Sequence, residues 1–131
     1  MPILFTRCAI REGSAGDGRH RGGFGVEIDF HLRDGDAYLT LVGDRGKFGP
    51  PGAAGGQEGM PAHHRFHVDG RVQAEHLTNI DRLYLRRDDG VRLKTPGGGG
   101  YGDPTLRSAE ARTLDDLDGL TSSCTKHSSR L

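Results

Sequence analysis

Tryptophan is missing from this 131-residue chain, and only 33% of its residues are apolar. So few apolar side chains build one small core, which excludes a second domain and makes stability depend on packing against a larger body. No run approaches the length of a membrane span, and the opening residues, Met1 to Arg7, lack the basic start and long apolar core of a secretory signal. A cytoplasmic chain is expected. Charge of one sign is also missing: 18 basic residues face 18 acidic ones, which leaves no electrostatic footprint for nucleic acid or a membrane surface. Cysteine is scarce, and Cys8 and Cys124 stand near opposite ends without metal-type spacing. They read as two reduced thiols, not as a disulfide framework.

What the chain has in quantity is glycine, 22 residues. Two dense blocks, residues 43–59 and 95–104, interleave glycine with Arg, Phe, Pro and Tyr and lie between segments of clear hydrophobic alternation. Linkers are not built this way. The pattern points to a shaped backbone in which glycine supplies positive φ or lets another chain segment approach closely, and Gly55, Gly56, Gly97, Gly98, Gly99 and Gly100 are the residues expected to shape it.

Elsewhere the period is two. Residues 3–10 form a β-rich run interrupted at Arg7. Val26, Ile28, Phe30 and Leu32 then alternate with Glu27, Asp29, His31 and Arg33, placing the first set on a core face. Asp34-Gly35 signals a hairpin into 37–42, and Asp69-Gly70 signals another between 64–68 and 71–75. A strand over 80–85 and a turn at Asp89-Gly90 lead into 91–95. Near the end, Ser108 can cap a helix over 109–117 that Gly119 can stop. The expected fold is mainly β: antiparallel strands and hairpins with long Gly-rich loops and one short C-terminal helix, spanning 1–120 and followed by a polar tail, 121–131.

Candidate sites are few. His63 and His67 on one strand would stand about 13 Å apart, too far for one ion to bridge, and His64 points the other way. No metal site is expected, and the three histidines are read as solvent-facing or as interface residues. Residues 16–25 precede a strand where a nucleotide loop requires a helix, and 97–102 lack the Lys-Ser/Thr that holds phosphates, so no cofactor is expected on this chain itself. Arg19, Arg21, Arg45 and Lys47 could meet an anionic intermediate, since arginine recognises phosphate bidentately, or could be surface and salt-bridging residues. Asp44-Arg45, leaving a strand end, either pins its loop or faces a substrate cleft. Tyr101 and Asp103 are read as structural parts of the second glycine block. Asp115, Asp116 and Asp118 read as a solvated helix face.

Residues 11–25, Gly43-Asp-Arg45, Pro50-Pro-Gly-Ala-Ala-Gly-Gly56 and Thr95-Pro-Gly-Gly-Gly-Gly-Tyr-Gly-Asp-Pro104 together resemble, in order and spacing, the C-terminal part of the hydantoinase B/oxoprolinase family. The resemblance covers roughly residues 2–120. It implies part of an ATP-dependent cyclic-amide hydrolase, opening hydantoin, 5-oxoproline or related lactam rings, that acts with an A-type subunit and with the remainder of the B-type subunit. ATP and a divalent metal are implied for the complete assembly, not for this chain. Related assemblies carboxylate ketones, and the alternative is a non-catalytic β scaffold or assembly module, or a truncated gene product. Self-association or association with the missing body, through strand edges and an apolar sheet face, is expected.

Overall fold

A computed structural model describes residues 2–73 and 79–120. The tail 121–131 with Cys124, and the last two residues of the expected strand 71–75, lie outside the described residues. Seven strands are present: β1 (Ile3–Arg11), β2 (Gly25–Leu32), β3 (Ala37–Val42), β4 (His63–Val68), β5 (Arg71–Gln73), β6 (Asn79–Leu85) and β7 (Gly90–Lys94). A single 3-10 turn, Pro104–Leu106, precedes helix α1 (Ala109–Leu117). Ser108 caps α1 by accepting a hydrogen bond from the Ala111 amide, and Gly119 follows the helix with φ 65°. The mainly antiparallel β fold with one short helix is the one expected.

The strands form a five-stranded sheet ordered β1-β2-β7-β4-β5 and a two-stranded ribbon, β3-β6. Alternation decides the faces. Register sets Phe30 beside Val91 and Val91 beside Phe66, and onto this row the ribbon turns Ala37, Leu39, Leu41, Ile80, Leu83 and Leu85. Phe66 is fully buried at the centre, a burial worth about 2 to 3 kcal/mol. The ribbon reaches Phe30 and Leu32 but not Val26, which is exposed although it shares their alternation.

Two of the three expected turns do different work from the one their sequence signals. Asp69-Gly70, with φ 51° and 71°, closes the β4–β5 hairpin. Asp34-Gly35 closes none: β2 has both edges filled by β1 and β7, so the turn carries the chain across to the ribbon. The turn expected at Asp89-Gly90 lies two residues earlier, over Arg87 and Asp88 (φ 68°) and closed by the Asp89 amide on the Arg86 carbonyl (3.0 Å), and it returns the chain from ribbon to sheet, Gly90 being the first residue of β7. Buried Asp89 holds that crossover, accepting hydrogen bonds from the amides of Arg86 (2.7 Å) and Asp69 (2.9 Å).

The glycine-rich segments pack on one another. Met60 and Gln57 donate their amides to Ser14 and Asp17 (2.8 and 2.6 Å), while Gly97 and Gly100 donate theirs to Met60 and Gln57 (3.0 and 2.8 Å). Within the second segment, Gly59 and Gly56 donate to Pro50 and Ala53 (3.0 and 2.9 Å). Partners recur every third residue, the spacing of extended helices with three residues per turn and no internal hydrogen bonds, rather than the two-residue period of a β-ladder. Close approach is the reason for the glycines. A Cβ on Gly97, Gly99 or Gly100 would lie under 3.0 Å from the backbone of Ser14, Pro51 or Asp17. Side chains enter where the Glu58 carboxylate accepts the Gly49 amide and at the junction with the sheet: Ser14, wholly buried, donates its hydroxyl to the Arg11 carbonyl (2.6 Å) and accepts the Gly25 amide (2.8 Å). Arg11 in turn reaches the carbonyls of Pro61 and Thr95 (2.7 and 2.9 Å).

This packing separates the glycines into two kinds. Gly99→Ala forces backbones apart and is expected to cost roughly 3 kcal/mol or to prevent folding. Gly23→Ala, whose Cβ meets nothing within 4 Å, is expected to be neutral or to stabilise by about 0.5 kcal/mol. Urea denaturation of both variants checks this, and similar midpoints would show that the close approach carries no weight.

Candidate functional site

The sequence candidates are distributed over separate clefts. Arg21 lies beneath α1, where its Nε donates to Asp115 (2.9 Å) and its guanidinium stacks 4.2 Å above the Phe24 ring. Arg107 donates to the other oxygen of Asp115 (2.7 Å). Asp115 is therefore a buried hub between two cations, not part of a solvated face, whereas Asp116 and Asp118 are exposed. Burial pushes its carboxyl up, but the hydrogen bonds from Arg21 and Arg107 outweigh this and leave it below the usual carboxylate range. The helix is docked by its acid while Leu114 and Leu117 face outward. Such an inversion is invisible to a hydrophobic periodicity count.

Arg19 is exposed, and the cleft beside it is bordered by His20, Leu106, Arg107, Ser108 and Ala111. Its amide donates to the Gly102 carbonyl (3.1 Å). Tyr101 exchanges backbone hydrogen bonds with His20, and its largely exposed ring leans toward the His20 imidazole at 6.4 Å. Asp103 stops the glycine segment by accepting the amide and hydroxyl of Thr105 (2.8 and 2.7 Å), and these bonds hold its carboxyl below the usual range.

Asp44 and Arg45 lie in a third cleft, of about 260 Å³, with Lys47, Phe48 and Asn79. Arg45 takes φ 62°, and its carbonyl accepts the Ala62 amide (2.7 Å), so the backbone fixes this loop. Both side chains extend toward solvent. The structure thus brings Arg45 and Lys47 together, places Arg19 in another cleft, and commits Arg21 to the helix.

The glycine segments do not offer a phosphate cradle, because the amides of Gly97, Gly98 and Gly100 already donate to Met60, Gly23 and Gln57. Among the described residues, no three His, Cys, Asp or Glu side chains gather where one ion could be held. The outer face of the five-stranded sheet instead carries an ionic row, in which Arg92 grips Asp29 through Nε (2.9 Å) and Nη2 (2.6 Å). The hydrogen bond from Arg92 is the main reason the Asp29 carboxyl lies low.

His64 departs from expectation. It shares the inner face with Phe66 and Val68 and is only 7% exposed, and its Nδ1 has no hydrogen-bond partner among the described residues. Desolvation, then His63 and Arg11, push its pKa down. The signal was in the alternation: His64, Phe66 and Val68 occupy one face of one strand.

The sequence pattern of hydantoinase B/oxoprolinase spans residues 1–104. This chain belongs to the hydantoinase B/oxoprolinase family. Among family relatives, the 5-oxoprolinase of Saccharomyces cerevisiae is 32% identical over 101 residues, covering 77% of this chain and 8% of its own length. Caprolactamase subunit beta of Pseudomonas jessenii is 32% identical over 126 residues, covering 92% of this chain and 21% of its own. The crystal structure of the ATP-dependent caprolactamase from Pseudomonas jessenii superposes with a TM-score of 0.72 at 28% identity, over 92% of this chain and 21% of that one. The chain therefore spans about a fifth or less of the length of these relatives. No helix among the described residues is long and apolar enough to cross a membrane.

Two outcomes follow from the buried titratable groups. An unfolded histidine binds a proton near pH 6.5 and folded His64 resists it, so its contribution to stability is complete above that value and is lost as the pH falls through the lower folded value. Asp29 and Asp115 act lower, their contributions being present above the usual carboxylate pKa and lost as the pH falls through their depressed values. The urea midpoint should fall between pH 7.5 and 5, and His64→Leu should flatten that fall. Asp115→Ala leaves two partly buried cations unpaired and should cost roughly 2 kcal/mol or more, against less than about 0.5 for exposed Leu117→Ala, read from melting curves at 222 nm.

Proposed function

We propose that this chain is the C-terminal β segment of a B-type subunit in an ATP-dependent cyclic-amide hydrolase, acting with an A-type subunit and the rest of a B-type body. The observation that carries this is the superposition of 92% of the chain on an ATP-dependent caprolactamase, joined by its similarity to a 5-oxoprolinase. Caprolactam and 5-oxoproline are both cyclic amides, whose opening breaks the bond between carbonyl carbon and ring nitrogen as water adds to that carbon, and phosphorylation of the carbonyl oxygen makes the carbon electrophilic enough for the addition. In such an assembly ATP and the divalent metal belong to the other parts, since nothing among the described residues fits them.

The contribution of this chain is then positional. The glycine bundle fixes the connections between strands by backbone contacts alone, and on its rims it presents Arg45 with Lys47, and separately Arg19. These exposed cations are the ones available to meet an anionic intermediate formed by the assembly. Arg21 is not, because Asp115 and Phe24 hold it. The distribution of the candidates over separate clefts favours a second reading, a non-catalytic assembly module, which the same test decides.

Co-expression with an A-type subunit and the remaining B-type body, followed by assays of ATP-dependent opening of 5-oxoproline, hydantoin and caprolactam, is the direct test. The assembly should turn over and the chain alone should not. Arg45→Ala should lower turnover by about ten-fold or more, the scale of a lost charge-assisted contact, with an unchanged melting temperature. An assembly equally active without this chain would refute the proposal, and activity that needs the chain but ignores Arg45, Lys47 and Arg19 would leave the scaffold role.

A further inference from the structure

β5, described over Arg71–Gln73, forms one edge of the five-stranded sheet. β1, at the other, runs nine residues and among the described residues pairs only with β2. A bulge between Phe5 and Arg7 shifts its register. Without the extra residue Phe5 and Cys8 would point to opposite faces. With it, Phe5 lies opposite Phe30, Cys8 opposite Ile28 and Ile10 opposite Val26, so all three join the sheet face that elsewhere carries the core.

The ribbon β3-β6 covers that face over β4, β7 and the end where Leu32 of β2 lies beside Ile3 of β1. From Phe5 onward the β1 side is open. Phe5 is 63% exposed, Ile10 is 52% exposed, and Cys8 and Val26 are exposed beside them. A nine-residue edge next to an apolar strip offers what β-augmentation uses, backbone bonds along the edge and alternate side chains on the strip, with the bulge setting which side chains line that strip.

We infer that the free edge of β1, with the strip of Phe5, Cys8, Ile10 and Val26, is the seam that receives a strand from the rest of a B-type subunit. This rests on the proposal that the chain works with that body. Relatives in which this fold makes up about a fifth or less of the chain carry the remaining length that could supply the strand. A second copy of this chain fits less well. Antiparallel pairing of β1 with itself about its centre sets Arg7 opposite Arg7, and like charges directly opposed are destabilising.

The test uses the full chain with Cys124→Ser, so that thiol chemistry reports Cys8, mixed with Pseudomonas jessenii caprolactamase subunit beta from which the segment aligned with this chain has been deleted. Alkylation of Cys8 by iodoacetamide should slow about ten-fold or more, the β1 amides should gain protection from hydrogen exchange, and Ile10→Lys should weaken the complex by at least about ten-fold. Tyr38→Ala, on the outer face of the ribbon, should leave it unchanged. If Ile10→Lys does not fold, Phe5→Ser carries the same comparison. Failure to form a complex, a complex in which Cys8 stays as reactive as before, or a dimer of this chain that protects Cys8 unaided would each overturn the inference. Ring opening is scored separately, after an A-type subunit and ATP are added to the complex: its absence with Cys8 protected defeats the proposed function and spares the seam, and its presence with Cys8 open does the reverse.

Discussion

The fold depends on backbone approaching backbone at distances that no side chain tolerates. Segments containing Ser14 to Asp17, Pro50 to Gln57 and Gly97 to Gly100 bond one another through amides and carbonyls in a three-residue rhythm. Each such bond contributes only about 0.5 to 1.5 kcal/mol net, and each glycine gives up more conformational freedom on folding than any other residue. The arrangement holds because many bonds form together and because the sheet anchors the segment ends. Arg11 and Ser14, at the end of β1, tie Pro61, Thr95 and Gly25 to a common point.

The same economy of apolar surface appears elsewhere. With a small core, the chain uses polar groups where larger domains use hydrophobic ones: buried Asp115 docks the helix, buried Asp89 holds the sheet-to-ribbon crossover, and half-buried Asp29 with Arg92 ties β2 to β7. Each is costly to disturb, since removing one side leaves Arg21 and Arg107 without their counterion at Asp115, or leaves the Arg86 and Asp69 amides without their acceptor at Asp89. The apolar residues released from packing duty, including Leu114, Leu117, Phe5 and Ile10, are left on the surface.

Local signals in the sequence were legible where local physics decides. Period-two alternation located the strands, and Ser108 and Gly119 bounded the helix. Asp69-Gly70 closed its hairpin, because its neighbouring strands had free edges for each other. Asp34-Gly35 has similar chemistry and a different outcome, because both edges of β2 were taken by distant strands, which no turn motif reports. The glycine blocks declared themselves as shaped backbone, but the partner of each glycine lay far along the chain. Arg21 and Asp115 are each visible and their pairing is not: Arg21 reads either as an anion contact or as a salt-bridging residue, the second being what the structure shows, and Asp115 reads as solvated surface. His64 could have been placed by giving its strand alternation more weight than the usual polarity of histidine.

The contacts that close the bundle join segments far apart along the chain: Gly16 bonds Gly98, and Asp17 bonds Gln57. During synthesis at the ribosome, the first two glycine segments emerge before the third exists, and β2 before the β7 that fills its second edge. Neither sheet nor bundle can be completed until residue 100 has left the exit tunnel. Until then residues 1–100 stay a loosely held nascent segment, and slow, non-local closure follows the emergence of the third glycine segment.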